Sequence, residues 1–184
     1  SLSTLFNGIP EPKNFRHGSE NRFDRNASRA GANWEFLDAL REKWKGNLIV
    51  KGIMDTDDAS RVQNAGVDAI WVSNHGGRQL DSSPPALSAL PNIRNTVGPN
   101  MPIIFDSGAR NGEDVVKALA LGANFVMLGR PIMMALAASS KKGLNDYLSL
   151  LKDEIGVVMA QLGINDLEKI SGDVLYDGIS KNIR

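Results

Sequence analysis

Asp68-Ala69-Ile70-Trp71-Val72-Ser73-Asn74-His75-Gly76-Gly77-Arg78 is the stretch on which the fold turns. Four apolar residues, Ala69 to Val72, read as a strand covered on both faces, and they run directly into a polar, glycine-rich turn. The same junction occurs three more times. Leu48-Ile49-Val50 leads into Lys51-Gly52, Pro102-Ile103-Ile104-Phe105 into Asp106-Ser107-Gly108, and Phe125-Val126-Met127-Leu128 into Gly129-Arg130. Short apolar strands alternating with helical segments predict a parallel sheet covered by helices. The polar residues all fall just past strand carboxy ends, where both a (β/α)8 barrel and an open doubly wound sheet bind ligands. A complete barrel has eight such units and about 250 residues; this sequence has four in 184 residues.

The helices are punctuated by caps and glycines. Asn33 is placed to cap a helix carrying Trp34, Leu37, Leu40, Arg41 and Trp44, ended by Gly46. Asp55 or Thr56 opens the next, which runs to Asn64 before Gly66, and Pro85 opens another, reaching Thr96. Val115, Val116, Leu119 and Ala120 mark a fourth, stopping at Gly122. A further helix follows Gly129-Arg130-Pro131, and a long one covers Leu144 to Gln161 with Leu148, Leu151, Ile155, Val158 and Met159 on one stripe. Asp166 to Arg184 is expected to form a short helix and a tail. Met127, Met133, Met134 and Met159 read as core filling and Trp71 as packing. Residues 1–32, rich in Asn, Arg, Gly and Ser without a sustained period, are expected to form an irregular or disordered loop arm. Its basic and aromatic mixture, Phe15-Arg16-His17 and Arg22-Phe23, suits a membrane or partner contact, against the simpler reading of a connector.

Composition narrows the function classes. Acids and bases balance at 21 each, so no net field recruits nucleic acid. With no cysteine, disulfides, thiolate metal sites and cysteine nucleophiles are excluded, and no metal is expected. No apolar run approaches the ~20 residues of a membrane span and no signal peptide is evident, so the expectation is a cytoplasmic protein.

Three clusters carry chemistry. His75 and Arg78 pair a side chain suited to accepting a proton near neutral pH with one suited to gripping a carboxylate at two points. Such a pair suggests chemistry on an organic acid, against the alternative of a structural histidine. Asp106-Ser107-Gly108-Ala109-Arg110 and Gly129-Arg130 each place glycine and arginine before a helix, which suits a phosphate; the alternative is two ordinary turns with surface arginines. Lys51, at the carboxy end of a strand, points toward a bound ligand or else into solvent.

These blocks also carry a resemblance. Ser73-Asn74-His75-Gly76-Gly77-Arg78-Gln79-Leu80-Asp81 resembles the active-site signature of the FMN-dependent α-hydroxy acid dehydrogenases and oxidases. That family includes L-lactate dehydrogenases, glycolate oxidases, mandelate dehydrogenases and flavocytochrome b2. The likeness continues through Leu48-Ile49-Val50-Lys51-Gly52, Asp106 to Val115, Ala118 to Ala123 and Leu128-Gly129-Arg130, and spans about Asn33 to Asp177. It implies an α/β fold, the carboxy-terminal half of a (β/α)8 TIM barrel: four parallel strands, covering helices and a long C-terminal helix. It implies noncovalent FMN and oxidation of an L-2-hydroxy acid, L-lactate foremost and mandelate next, to the 2-oxo acid. By the same resemblance His75 is the base and Arg78 holds the substrate carboxylate. Lys51 and Ser73 contact the flavin, and Asp106 and Ser107 bind the cofactor, Asp106 at the ribityl chain. Gly108, Arg110, Gly129 and Arg130 hold the FMN phosphate.

Residues 1–32 correspond in the resemblance to a long loop that attaches some members peripherally to the inner face of a membrane. The electron acceptor is a quinone, a cytochrome or oxygen. The first four strands of the family are absent from this sequence, so residues 33–184 are expected to form a half-barrel, inactive alone. It would pair with a second copy or with a complementing amino-terminal half. The alternative is a noncatalytic half-barrel that binds FMN or phosphate or serves assembly.

Overall fold

The computed structural model describes residues 32–176. The chain divides into two compact units, residues 1–40 and 41–184. The expected loop arm lies, except for Ala32, outside the described residues, as does the tail after Tyr176. Asn33 Oδ1 accepts the Phe36 N–H at 2.8 Å and caps helix α1 (Trp34–Lys43).

The second unit alternates strand and helix: β1 (Ile49–Ile53), α2 (Thr56–Asn64), β2 (Ala69–Val72), α3 (Ala86–Val97), β3 (Ile103–Phe105), α4 (Gly112–Ala120), β4 (Phe125–Val126) and α5 (Arg130–Gln161). The strands form one parallel sheet in the order β1-β2-β3-β4. This sequential order of four parallel βα units is the order that successive units of a (β/α)8 barrel have.

Register separates the two faces of the sheet. Val50, Ile70 and Ile103 are aligned partners, as are Val72, Phe105 and Val126. Ile70, Ile103, Val72 and Phe105 are buried, together with Val62 of α2, Leu90 and Ile93 of α3 and Val116 of α4. Alternation puts Lys51, Trp71, Ile104 and Phe125, likewise aligned, on the opposite face. That row is open, with Phe125 59% exposed. It corresponds to the lumen of a barrel, and β1 and β4 are both edge strands.

Polar anchors hold the end of the sheet remote from the glycine turns. Asp68 Oδ2 accepts from Leu48 N–H at 2.7 Å and from Arg41 Nη1 at 2.9 Å, joining the entries of β1 and β2. Arg94 bonds the carbonyls of Gly98, Met101 and Gly122 and the Asn124 side chain, joining the entries of β3 and β4. The Asp55 start follows its predicted cap, Asp55 accepting from Asp57 and Asp58 N–H, and α4 is capped by Asn111, which accepts the Asp114 N–H.

Several expectations are corrected. The helix after Pro131 and the long helix from Leu144 are nearly continuous, broken only at Ser139 and Ser140. Two helix segments meet there so closely that a Cβ on Gly143 would lie 2.2 Å from the Ala135 carbonyl oxygen. Of the long helix's apolar stripe only Leu151 is buried, while Leu148 is 45% exposed. Met133 and Met134 are not core residues; at 67% and 68% exposed they project from the first turns of α5, and Met127 is also exposed. Edge position is the reason, because nothing among the described residues pairs with β4 on its outer side. β4 is correspondingly short, ending at Val126 rather than Leu128. In place of a helix after Asp166 the chain makes two 3-10 turns, Leu167–Lys169 and Gly172–Val174.

Candidate active site

The carboxy ends of the four strands meet around a cleft of about 320 Å³. Lys51, His75, Arg78, Asp106, Arg110 and Arg130 all line it. Residues far apart in sequence converge because parallel strands release their loops at one end.

Lys51 organises the floor. Its Nζ donates to Ser73 Oγ at 2.6 Å and to Asp106 Oδ2 at 2.7 Å, and lies 4.5 Å above the centre of the Trp71 ring. The Trp71 Nε1 is buried without a partner among the described residues. Trp71 is therefore more than the packing residue its strand position predicts. Ser73, the one buried polar residue among those described, also accepts the His75 N–H at 3.1 Å.

Burial pushes the Asp106 carboxyl up, but hydrogen bonds from Lys51, Ser107 and Ser73, with the charge of Lys51, outweigh it and hold the group below its ordinary value. A carboxyl depressed on folding adds stability above its unfolded value, lost as pH falls through the folded one. The expected result is a chain whose urea stability drops below about pH 4. Asp106→Asn is weaker at neutral pH and has a shallower acid limb. Parallel curves from pH 7 to pH 3 would contradict this.

The turn after β2 is left-handed over three residues, His75 (φ 57), Gly76 (φ 66) and Gly77 (φ 75). Gly76 and Gly77 accept this readily; His75 does not, and strained backbone of this kind is held only by surrounding bonds. Asn74 supplies one, accepting the Gly76 N–H at 2.9 Å, and is itself fixed through Nδ2 to the Pro84 carbonyl. The imidazole lies against β1: a Cβ on Gly52, at φ 97, would stand 3.3 Å from His75 Cε1. Gly52 thus gives His75 its place, a role that sequence reasoning missed.

The far wall is cationic. Arg130 Nη2 donates to the Gly76 carbonyl at 3.2 Å. The Arg110 backbone is clamped, its N–H donating to Asp114 Oδ2 and its carbonyl accepting the Tyr147 hydroxyl, both at 2.9 Å. Burial, with Glu154 and Asp114 nearby, pushes the Tyr147 hydroxyl up, so it stays a donor. Arg78, Arg110 and Arg130 form no ion pair with a carboxylate among the described residues. Beside them Gly108 and Gly129 face open space, a Cβ on either meeting nothing within 4 Å. Three unpaired guanidinium groups and two bare backbone segments around one cleft make a receptor for anions. The exposed Met127 and Met133 give this wall an apolar margin.

Among the described residues no group of acidic or histidine side chains is arranged to hold a metal ion. All ten residues singled out in the sequence lie at this end of the sheet. Ser73 lies beneath the cleft floor, bonded to Lys51, and the other nine line the cleft.

The sequence matches the family model for FMN-dependent dehydrogenases over residues 4–177. It is 46% identical over 142 residues to an L-lactate dehydrogenase of Caulobacter sp. (strain K31), a span of 77% of this chain and 37% of that protein. Among solved structures, the monotopic membrane protein (S)-mandelate dehydrogenase superposes with a TM-score of 0.81 at 39% identity, covering 95% of this chain and 48% of that one. A putative lactate oxidase of Pediococcus acidilactici superposes at 0.72 with 41% identity, covering 75% of this chain and 38% of that one. The chain thus spans less than half the length of these relatives.

Proposed function

The chain belongs to the FMN-dependent dehydrogenase family, and from that premise we propose that its cleft binds FMN and serves the oxidation of an L-2-hydroxy acid, L-lactate first. The observation that supports this best is the convergence of unpaired Arg78, Arg110 and Arg130 with His75 on one cleft. The residues present fit FMN. Gly108 and Gly129 leave room for a phosphate beside Arg110 and Arg130, the Asp106 carboxylate suits the hydroxyls of a ribityl chain, and the Lys51 ammonium suits the polar edge of the ring.

When bound, FMN supplies the two-electron acceptor that no side chain of this protein can provide. The chain's residues do the rest. Arg78 grips the substrate carboxylate by a two-point fork and so orients the hydroxyl-bearing carbon. His75, held in its strained turn against Gly52, takes a proton from the substrate onto its imidazole. Ser73 keeps Lys51 directed into the cleft. An imidazolium at His75 needs an anionic partner, and no carboxylate is bonded to His75 among the described residues. We place that partner on a further set of four strands that covers the open Lys51-Trp71-Ile104-Phe125 face and pairs with the edges β1 and β4.

No helix among the described residues is long and apolar enough to cross a membrane. The likeness to a monotopic membrane protein and the Phe15-Arg16-His17 and Arg22-Phe23 pairings favour peripheral attachment through residues 1–32. The open face favours one competing reading, a module that binds FMN without turnover.

The test joins this chain to the amino-terminal part of its Caulobacter relative, loads FMN and adds L-lactate without oxygen. Bleaching of the yellow band is the expected result. Yellow protein that no L-2-hydroxy acid bleaches would leave the noncatalytic module, and colourless protein would overturn both readings.

A further inference from the structure

We propose that Ser107 is a positioning residue whose hydroxyl latches the His75 turn to the Lys51–Asp106 pair. The proposal relies on the function above only in naming His75 as the base. Ser107 has φ 81, in the left-handed region where glycine is relaxed and serine is not, and Gly108 follows at φ 113. Glycine would fit position 107 more easily, so the structure must hold the serine there by what its side chain does.

A hydroxyl has one proton to give and two acceptor positions. The Ser107 proton goes to Asp106 Oδ1 at 2.6 Å, and the oxygen accepts the Gly76 N–H at 3.0 Å. Ser73 Oγ stands 3.4 Å away, near the remaining acceptor position. Asp106 meanwhile holds Lys51 through its other oxygen. One oxygen atom therefore links the end of β3 to the middle of the left-handed turn after β2. The second acceptor for Gly76 N–H, Asn74 Oδ1, belongs to the turn itself and shapes it without tying it to β3. Arg130 holds the Gly76 carbonyl, so Ser107 and Arg130 grip the two sides of one residue from β3 and from α5.

The experiment compares Ser107→Gly with Ser107→Ala in the full chain without flavin. Glycine removes both strain and hydroxyl; alanine keeps the strain and removes the hydroxyl. Glycine is expected to be the more stable of the two in urea. In both variants the Gly76 amide should exchange with solvent about five- to tenfold faster than in the parent, with Asn74 supplying the residual protection. The Val72 and Phe105 amides should keep their rates. The proposal is overturned if Gly76 protection follows stability, retained in the glycine variant and lost only with alanine. It is equally overturned if the strand amides accelerate as much as Gly76. FMN titration of the same variants reads the cofactor proposal separately, because the exchange measurement needs no flavin.

Discussion

His75→Gln in the flavin-loaded, eight-stranded form is expected to lower L-lactate turnover by about 10³- to 10⁴-fold, with the yellow colour retained. Glutamine fills similar space and keeps a hydrogen-bonding end, but it cannot accept a proton. The substitution leaves Lys51, Asp106, Arg110 and Arg130, the proposed flavin contacts, untouched, so flavin binding is expected to persist. Stopped-flow bleaching checks this. A loss under tenfold would remove His75 as the base, and a colourless protein would place the histidine in flavin binding instead.

Gly112→Ala is expected to cost about 3 kcal/mol, the upper range for overpacking. A Cβ there would lie 2.4 Å from Ile155 N and 2.6 Å from the Glu154 carbonyl carbon, and backbone atoms have no rotamer by which to retreat. Gly112 N–H also donates to Glu154 Oε2 at 2.8 Å, so parting the helices breaks that bond as well. The effect should reach the cleft, because Arg110 and Asn111 precede α4 directly and Tyr147 of α5 holds the Arg110 carbonyl. Urea unfolding reads the loss; a change below about 1 kcal/mol would show that α4 and α5 separate freely.

How the sequence foreshadows this structure depends on whether the cause is local. Caps at Asn33 and Asp55 are local, and each is found where its side chain predicts. The parallel sheet is legible from four apolar runs because strands covered by helices need no alternation. The motif residues of the candidate site are legible too, since each sits within six positions past such a run. What escapes is set across the sheet. Nothing in a lysine-glycine pair announces that Gly52 makes room for the His75 ring, or that Trp71 faces Lys51 rather than a core. Met127, Met133 and Met134 read as core because their apolarity is visible and their place at a sheet edge is not. Ser107 reads as one member of a turn, and only the fold brings its hydroxyl to Gly76.

The central claim is that a proton acceptor, a carboxylate clamp and a phosphate cradle share one cleft. Nuclear magnetic resonance of the labelled chain titrated with FMN, and separately with riboflavin, tests it most directly. The account predicts that FMN shifts the amides of Gly76, Gly108 and Gly129 together, and that riboflavin, which lacks the phosphate, binds at least about tenfold more weakly. Equal affinity for the two, or shifts that leave those three glycines unmoved, would contradict it.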